Sequence, residues 1–374
     1  MERVGGKRFL RREQLEIILQ ALQTEGYRCV GPQRVEGAMV YQPIQTLSEL
    51  PQGLRDQQSA GSYRLTETQN RPQNHRLFDW ANGPQGLKPL LFPPQEPLWQ
   101  ADKGERGELT FRPLGVEQSP LAVIGVRGCD LAALSLMDRH FLREGAEDPW
   151  YQQRRQQLFL IAVECTTPAQ SCFCASTDTG PAIKQDYDLR LHELDEGFLV
   201  DAGSAQGALL LQPLALAEAT PSMVKQSEDA LQRAAAQQQR AVATDDFRAI
   251  FAGRETSELW ESIAEHCLAC GNCTAVCPTC FCHREEDVSG LELQQSSHQR
   301  VWDSCFSGHH SQLHGVAVRS GRRERYRQWM SHKLAGWHDQ FGESGCVGCG
   351  RCITWCPVGI DFVAESARFV EEQL

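Results

Sequence analysis

Two cysteine runs of identical spacing limit what this chain can fold into more than any other feature. Cys267-x2-Cys270-x2-Cys273-x3-Cys277 is followed by Pro278, and the pattern recurs as Cys346-x2-Cys349-x2-Cys352-x3-Cys356 followed by Pro357. Two intervening residues let successive thiolates wrap three corners of one cuboidal [4Fe–4S] cluster. The longer step sends the fourth thiolate to a neighbouring cluster. Proline donates no N–H and keeps the cysteine before it extended, so the chain turns away there. The spacing therefore assigns Cys267, Cys270, Cys273 and Cys356 to one cluster, A, and Cys346, Cys349, Cys352 and Cys277 to a second, B. Gly271, Gly348 and Gly350 allow tight loops whose amides approach the sulfurs. Structural zinc is the competing chemistry, but zinc sites use paired Cys-x2-Cys elements rather than two four-cysteine runs with trailing proline.

Crossed ligation brings Cys277 and Cys346 into one metal site, so the segment between them is a looped-out insertion. Helical periodicity flanks the runs in "SELWESIAEH", "RRERYRQWMSHKLAGWHDQF" and "DFVAESARFVEEQL". The first half reads as mixed α/β. A helix is expected over Arg11–Gly26, strands at "GAMVYQPI", "GFLVDAG" and "GALLLQPL", and an irregular stretch from about Pro51 to Pro97, rich in Pro, Gln, Gly and Asn. Apolar runs at Leu121–Val126 and Leu158–Cys165 read as buried strands, the first followed by a helix over Asp130–Leu142. The expected fold class is α+β: a mixed domain over 1–213, a helical linker over 214–243, and a mainly helical dicluster domain of α-helical ferredoxin type over 244–374.

Sixteen cysteines leave eight outside the runs. Cys29 stands alone and reads as a buried hydrophobe. Cys129 and Cys165 sit at strand ends, and Cys172 and Cys174 bracket a Cys-Phe-Cys turn. Converging above one sheet edge, these four are candidate ligands of a third [4Fe–4S] cluster. The alternative is unliganded thiols and one tight turn. Asp130 could offer an oxygen ligand, but an acidic residue at a helix N-terminus is the commoner reading. Cys280, Cys282 and Cys305, near His309, His310 and His314, either form a further metal site or pack beside the clusters and tune them by hydrogen bonding.

Composition narrows the setting. The N-terminus has no signal-peptide core, and no uncharged apolar run approaches the roughly 18 residues of a membrane span, so a cytoplasmic protein is expected. There, cysteines are metal ligands more often than disulfides. A net charge of −11, from 37 basic and 48 acidic residues, argues against a general nucleic-acid binder. The basic run Arg319–Lys333 reads as a solvated helix face or a dock for an acidic partner, with nucleic-acid contact as the third alternative. No G-x-G-x-x-G follows a strand, no P-loop is present, and no nucleophile–base pair can be nominated, so no catalytic residue is assigned.

Together, "GVRGCDLAALSLMDRHFL", "CTTPAQSCFCASTDTGP", "CLACGNCTAVCPTCFC", "VWDSCF" and "GCVGCGRCITWCPVGID" resemble the iron–sulfur β subunit of cytoplasmic nickel–iron sulfhydrogenases and, equally, the A subunit of anaerobic sulfite reductase. The resemblance runs from about Leu87 to the C-terminus. It implies an electron conduit working with a flavin-containing, NAD(P)H-linked subunit and a separate hydrogenase or sulfite-reducing catalytic subunit. Gly128 departs from the family pattern, where proline is expected before the Cys-Asp pair. Two other readings remain: a stand-alone iron–sulfur oxidoreductase with a substrate or flavin site in its N-terminal domain, and an iron–sulfur redox sensor.

Overall fold

Two short runs without a polar side chain, LAVIGV and LFLIAV, make the centre of the fold, because strands buried on both faces must be apolar throughout. The computed structural model describes residues 4–68, 75–115, 119–242, 246–291 and 294–372. The strands of the two larger sheets and of one hairpin are, in chain order, β1 (Val4–Arg11), β2 (Arg28–Val35), β3 (Ala38–Pro43), β4 (Leu54–Ser59), β5 (Ser62–Glu67), β6 (Gln95–Lys103), β7 (Leu109–Pro113), β8 (Leu121–Val126), β9 (Leu158–Val163), β10 (Leu189–Glu193), β11 (Gly197–Ala202), β12 (Ala217–Glu218), β13 (His283–Ser289) and β14 (Gln295–Trp302).

An eight-stranded sheet has the order β12-β1-β11-β10-β9-β8-β2-β3. Its centre, β10-β9-β8-β2, is parallel. Side chains alternate between its faces. Ile124 and Ile161 join the core under the helix Gln14–Thr24, whereas Val123 and Leu160 join the core under the helix Gly128–Phe141. Because β8 and β9 are parallel neighbours, Cys129 and Cys165, just beyond their C-terminal ends, emerge at one sheet edge. A third core, around Trp260, Trp329, Met330, Ile353 and Phe369, surrounds the cysteine runs.

The fold is α+β, with three departures from expectation. "GALLLQPL" is helical, not a strand: Ser204 caps the helix Ala205–Leu211 by accepting from Gly207 N–H, and only one side of it is buried. The Pro- and Gln-rich stretch contains the hairpin β4–β5, closed at Ala60-Gly61 with Gly61 at φ 70°. The segment between the cysteine runs carries the hairpin β13–β14, and β14 pairs with β6 in the sheet β13-β14-β6-β7. That sheet joins the two halves of the chain. The helix Pro221–Ala236 occupies the expected linker, and the expected boundary at 243/244 lies outside the described residues.

Candidate metal centre

Cys267 ends the helix Glu258–His266, its N–H donating to Ile263 O at 3.1 Å. The chain bends through Ala269 (φ 53°) and Gly271 (φ 74°) into the short helix Asn272–Ala275, which carries Cys273. The second run follows the same path through Gly348 (φ 61°) and Gly350 (φ 74°) into Arg351–Thr354, which carries Cys352. Repeated spacing thus encodes a repeated left-handed double bend. Cys267, Cys270, Cys273 and Cys356 line one cavity, together with Cys352, Phe306, Tyr326, Trp329 and Phe362. Amides approach its sulfurs: Ala269 N–H donates to Cys267 Sγ and Ile360 N–H to Cys356 Sγ, both at 3.4 Å.

The fourth thiol of each run comes within electrostatic reach of the other run. Cys356 bears electrostatically on Cys267, and Cys277 bears on Cys346, Cys349 and Cys352. Burial pushes the Cys273 and Cys352 thiols well up, and Cys346 to about 12. Cys277 is the exception, held well below the usual thiol range mainly by a hydrogen bond from Cys280. Buried thiols become thiolates only if a cation compensates them, which cluster iron does. Among the described residues no three His, Cys, Asp or Glu side chains converge as a single metal ion requires. A cuboidal cluster, with iron at separate corners, needs thiols spread around a cavity. The donor set and its apolar walls fit that group.

The other four thiols assemble beside the second run. Cys129 opens the helix Gly128–Phe141, and Cys165 follows β9. Cys172 and Cys174 lie within electrostatic reach of Cys165, and Cys129 within reach of Cys174. Gln238 Nε2 donates to Cys174 Sγ at 3.2 Å. Phe173 N–H donates to Gly348 O at 2.8 Å and Thr179 Oγ1 to Val347 O at 2.7 Å, so this group abuts the loop Cys346–Cys349. Gly128 packs closely here: a Cβ on it would stand 3.2 Å from the Thr179 and Ala182 carbonyls.

Comparison with known proteins agrees with this geometry. Residues 266–360 match the model of the 4Fe-4S dicluster domain. Over 280 residues the chain is 29% identical to sulfhydrogenase 2 subunit beta of Pyrococcus furiosus, covering 74% of this chain and 80% of that protein. The chain is a homologue of a sulfhydrogenase β subunit. It is an iron–sulfur electron-transfer subunit. No solved structure matches it significantly. Among the described residues, no helix is long and apolar enough to cross a membrane.

The remaining thiols of this homologue take distinct places. Cys29 is a core residue of β2. Cys280 bonds Cys277, Cys282 bonds His310, and Cys305 is buried within electrostatic reach of Cys282 and Cys273. His309 and His314 are exposed. The basic run is only partly solvated: Arg322 donates to Cys267 O at 3.0 Å, while Tyr326, Trp329 and Lys333 are buried. Sequence reasoning missed the buried cations around the thiols. Arg127 donates to the Ala81, Phe78 and Trp80 carbonyls. Arg351 pairs with Asp130 at 2.6 and 3.0 Å, both about 1% exposed. Lys88 and Lys333 are likewise buried. The available signal was position: Arg127 and Arg351 stand within two residues of a cysteine.

Proposed function

We propose that this chain relays single electrons within a multisubunit oxidoreductase, between a flavin-containing, NAD(P)H-linked subunit and a hydrogenase or sulfite-reducing catalytic subunit, in the cytoplasm. On this reading Cys267, Cys270, Cys273 and Cys356 hold one [4Fe–4S] cluster, Cys346, Cys349, Cys352 and Cys277 a second, and Cys129, Cys165, Cys172 and Cys174 a third. Residues 244–374 then form a dicluster unit of α-helical ferredoxin type with β13–β14 looped out of it. Residues 214–243 join it to the mixed unit, 1–213. When bound, the clusters supply one-electron transfer.

Phe306, Tyr326, Trp329 and Phe362 wall the first thiol set with apolar surface, while Cys270 opens to solvent. The observation that carries the reading is contiguity. Cys273 and Cys277 lie four residues apart and within electrostatic reach of each other at the meeting of the first two thiol sets, and Phe173, between Cys172 and Cys174, bonds Gly348 of the second run. The Pyrococcus furiosus relative is a subunit of a sulfhydrogenase, which supports partner subunits.

The test is anaerobic purification of the chain with and without co-expressed neighbouring-gene products, assayed with hydrogen, sulfite and NAD(P)H. The reading expects no turnover by the chain alone, and electron exchange with a reduced flavin subunit. Turnover by the isolated chain would favour the stand-alone enzyme and refute the relay.

A further inference from the structure

We propose that Lys333 and Lys88 form a buried cationic clamp that raises the reduction potential of the cluster held by Cys277, Cys346, Cys349 and Cys352 above that of its neighbour at Cys267, making it the resting place of a transferred electron. This rests on the ligand sets proposed above.

The two ammonium groups both reach Cys277 and its neighbour Cys280, from different segments. Lys333 lies in a π-helical turn, His332–Gly336, that continues the helix Arg322–Ser331; such turns recur at functional positions. Its side chain is turned inward and 4% exposed. Nζ donates to Thr279 Oγ1 at 2.5 Å and to Gly345 O at 3.3 Å. Thr279 Oγ1 lies 3.3 Å from Cys277 Sγ, and Gly345 precedes Cys346, so Lys333 bridges the two segments that carry this ligand set. Lys88, 6% exposed, donates from Nζ to Thr274 O at 3.1 Å and stands 3.9 Å from the centre of the Trp302 ring. Cys277, Cys280 and Cys282 are all within its electrostatic reach.

Neither ammonium has a carboxylate partner among the described residues; they meet carbonyls, a hydroxyl, thiols and rings. Arg351, the third buried cation here, is neutralised by Asp130. A buried, unpaired cation is costly unless an anion compensates it. A cluster carried by four thiolates is such an anion, and it grows more negative on reduction. Positive charge in a poorly screened interior therefore favours its reduced form. Among the described residues the first ligand set shows no buried ammonium of this kind: Arg322, which acts on Cys267, is exposed and donates to the Cys267 carbonyl, and Cys270 opens to solvent. The two sets thus share a backbone path but differ in local charge.

The test is anaerobic potentiometric titration of the full chain followed by electron paramagnetic resonance, with iron counted in every variant. Cys277→Ser first identifies the signal of the second cluster, by its loss or alteration. Lys333→Met should lower the midpoint of that signal and leave the other in place. The expected change is at least tenfold in the electron's distribution between the two, or 59 mV for a one-electron couple. Lys333→Arg, which keeps the charge, should retain the parental midpoint, and Lys88→Met should shift it in the same direction as Lys333→Met. Full iron with unmoved midpoints in Lys333→Met and Lys88→Met would overturn the proposal while leaving the ligand sets intact. So would a midpoint in Lys333→Arg as low as in Lys333→Met. If Lys333→Met does not assemble, Lys88→Met decides by the same criterion. A Cys277→Ser variant with both signals unaltered would instead overturn the ligand sets, and the proposal with them.

Discussion

Replacing Arg351 by Met should be among the most damaging single changes outside the cysteines. Its guanidinium bonds Asp130 Oδ1 at 2.6 Å and Oδ2 at 3.0 Å, and donates to Gly83 O at 2.8 Å and Gln85 O at 3.3 Å. Both side chains are about 1% exposed. Methionine fills part of the volume but leaves a carboxylate and two carbonyls buried without their partner. Breaking one side of such a pair costs roughly 3–5 kcal/mol, whereas replacing both sides costs much less. Arg351→Met should therefore lose about 3–5 kcal/mol, and adding Asp130→Asn should restore on the order of 1–3 kcal/mol of it. Urea unfolding of cluster-loaded protein, followed anaerobically by tryptophan emission, measures both. Since the pair links the helix Gly128–Phe141, which carries Cys129, to the helix Arg351–Thr354, which carries Cys352, the loss should come with loss of iron. A cost below about 1 kcal/mol, or strict additivity in the double variant, would refute the reasoning.

Gly348→Ala should destabilise by roughly 2 kcal/mol or more, because the residue sits at φ 61° and a Cβ would stand 2.6 Å from the Cys174 backbone. Its counterpart Ala269 adopts φ 53°, so Ala269→Gly should stabilise by about 1 kcal/mol in the same urea assay. Burial pulls His140, stacked 3.5 Å from the Phe281 ring, down to about 4 from 6.5. The unfolded chain takes up that proton first. Its contribution is complete above pH 6.5 and is lost as pH falls toward 4, so His140→Phe should flatten the urea midpoint across that window. Cys277→Ser should damage the cluster of the distant run at Cys346 and spare the near one; damage confined to the near cluster, seen by resonance spectra, would contradict crossed ligation.

What could be read in advance depended on how local the signal was. The cysteine runs are local, and so are the strands before Cys129 and Cys165, whose unbroken apolar runs leave no alternative to burial. The sheet β13-β14-β6-β7 was not legible. Three of its strands, QEPLWQADK, HREEDVS and QSSHQRVW, are polar and lack a sustained apolar alternation, the fourth, LTFRP, is only five residues long, and β14 pairs with a strand from the other half of the chain. The helix Ala205–Leu211 was misread because a short apolar run carries no period, and its capping serine decides the matter. Buried charges were hidden for a different reason. Asp130 and Arg351 lie 221 residues apart, and neither alone reveals that the other will neutralise it. The Cys-Phe-Cys triplets show the same limit. Phe173 pins one against the second run, while Phe281 packs with His140 and Trp337 and leaves Cys280 to bond Cys277.

The central claim, a contiguous relay of three thiol sets, is tested most directly by counting iron and acid-labile sulfide per chain in protein assembled without oxygen. With a four-iron unit in each set, as proposed, the count should be about twelve of each. A count near eight, unchanged by the double substitution Cys172→Ser and Cys174→Ser, would contradict it.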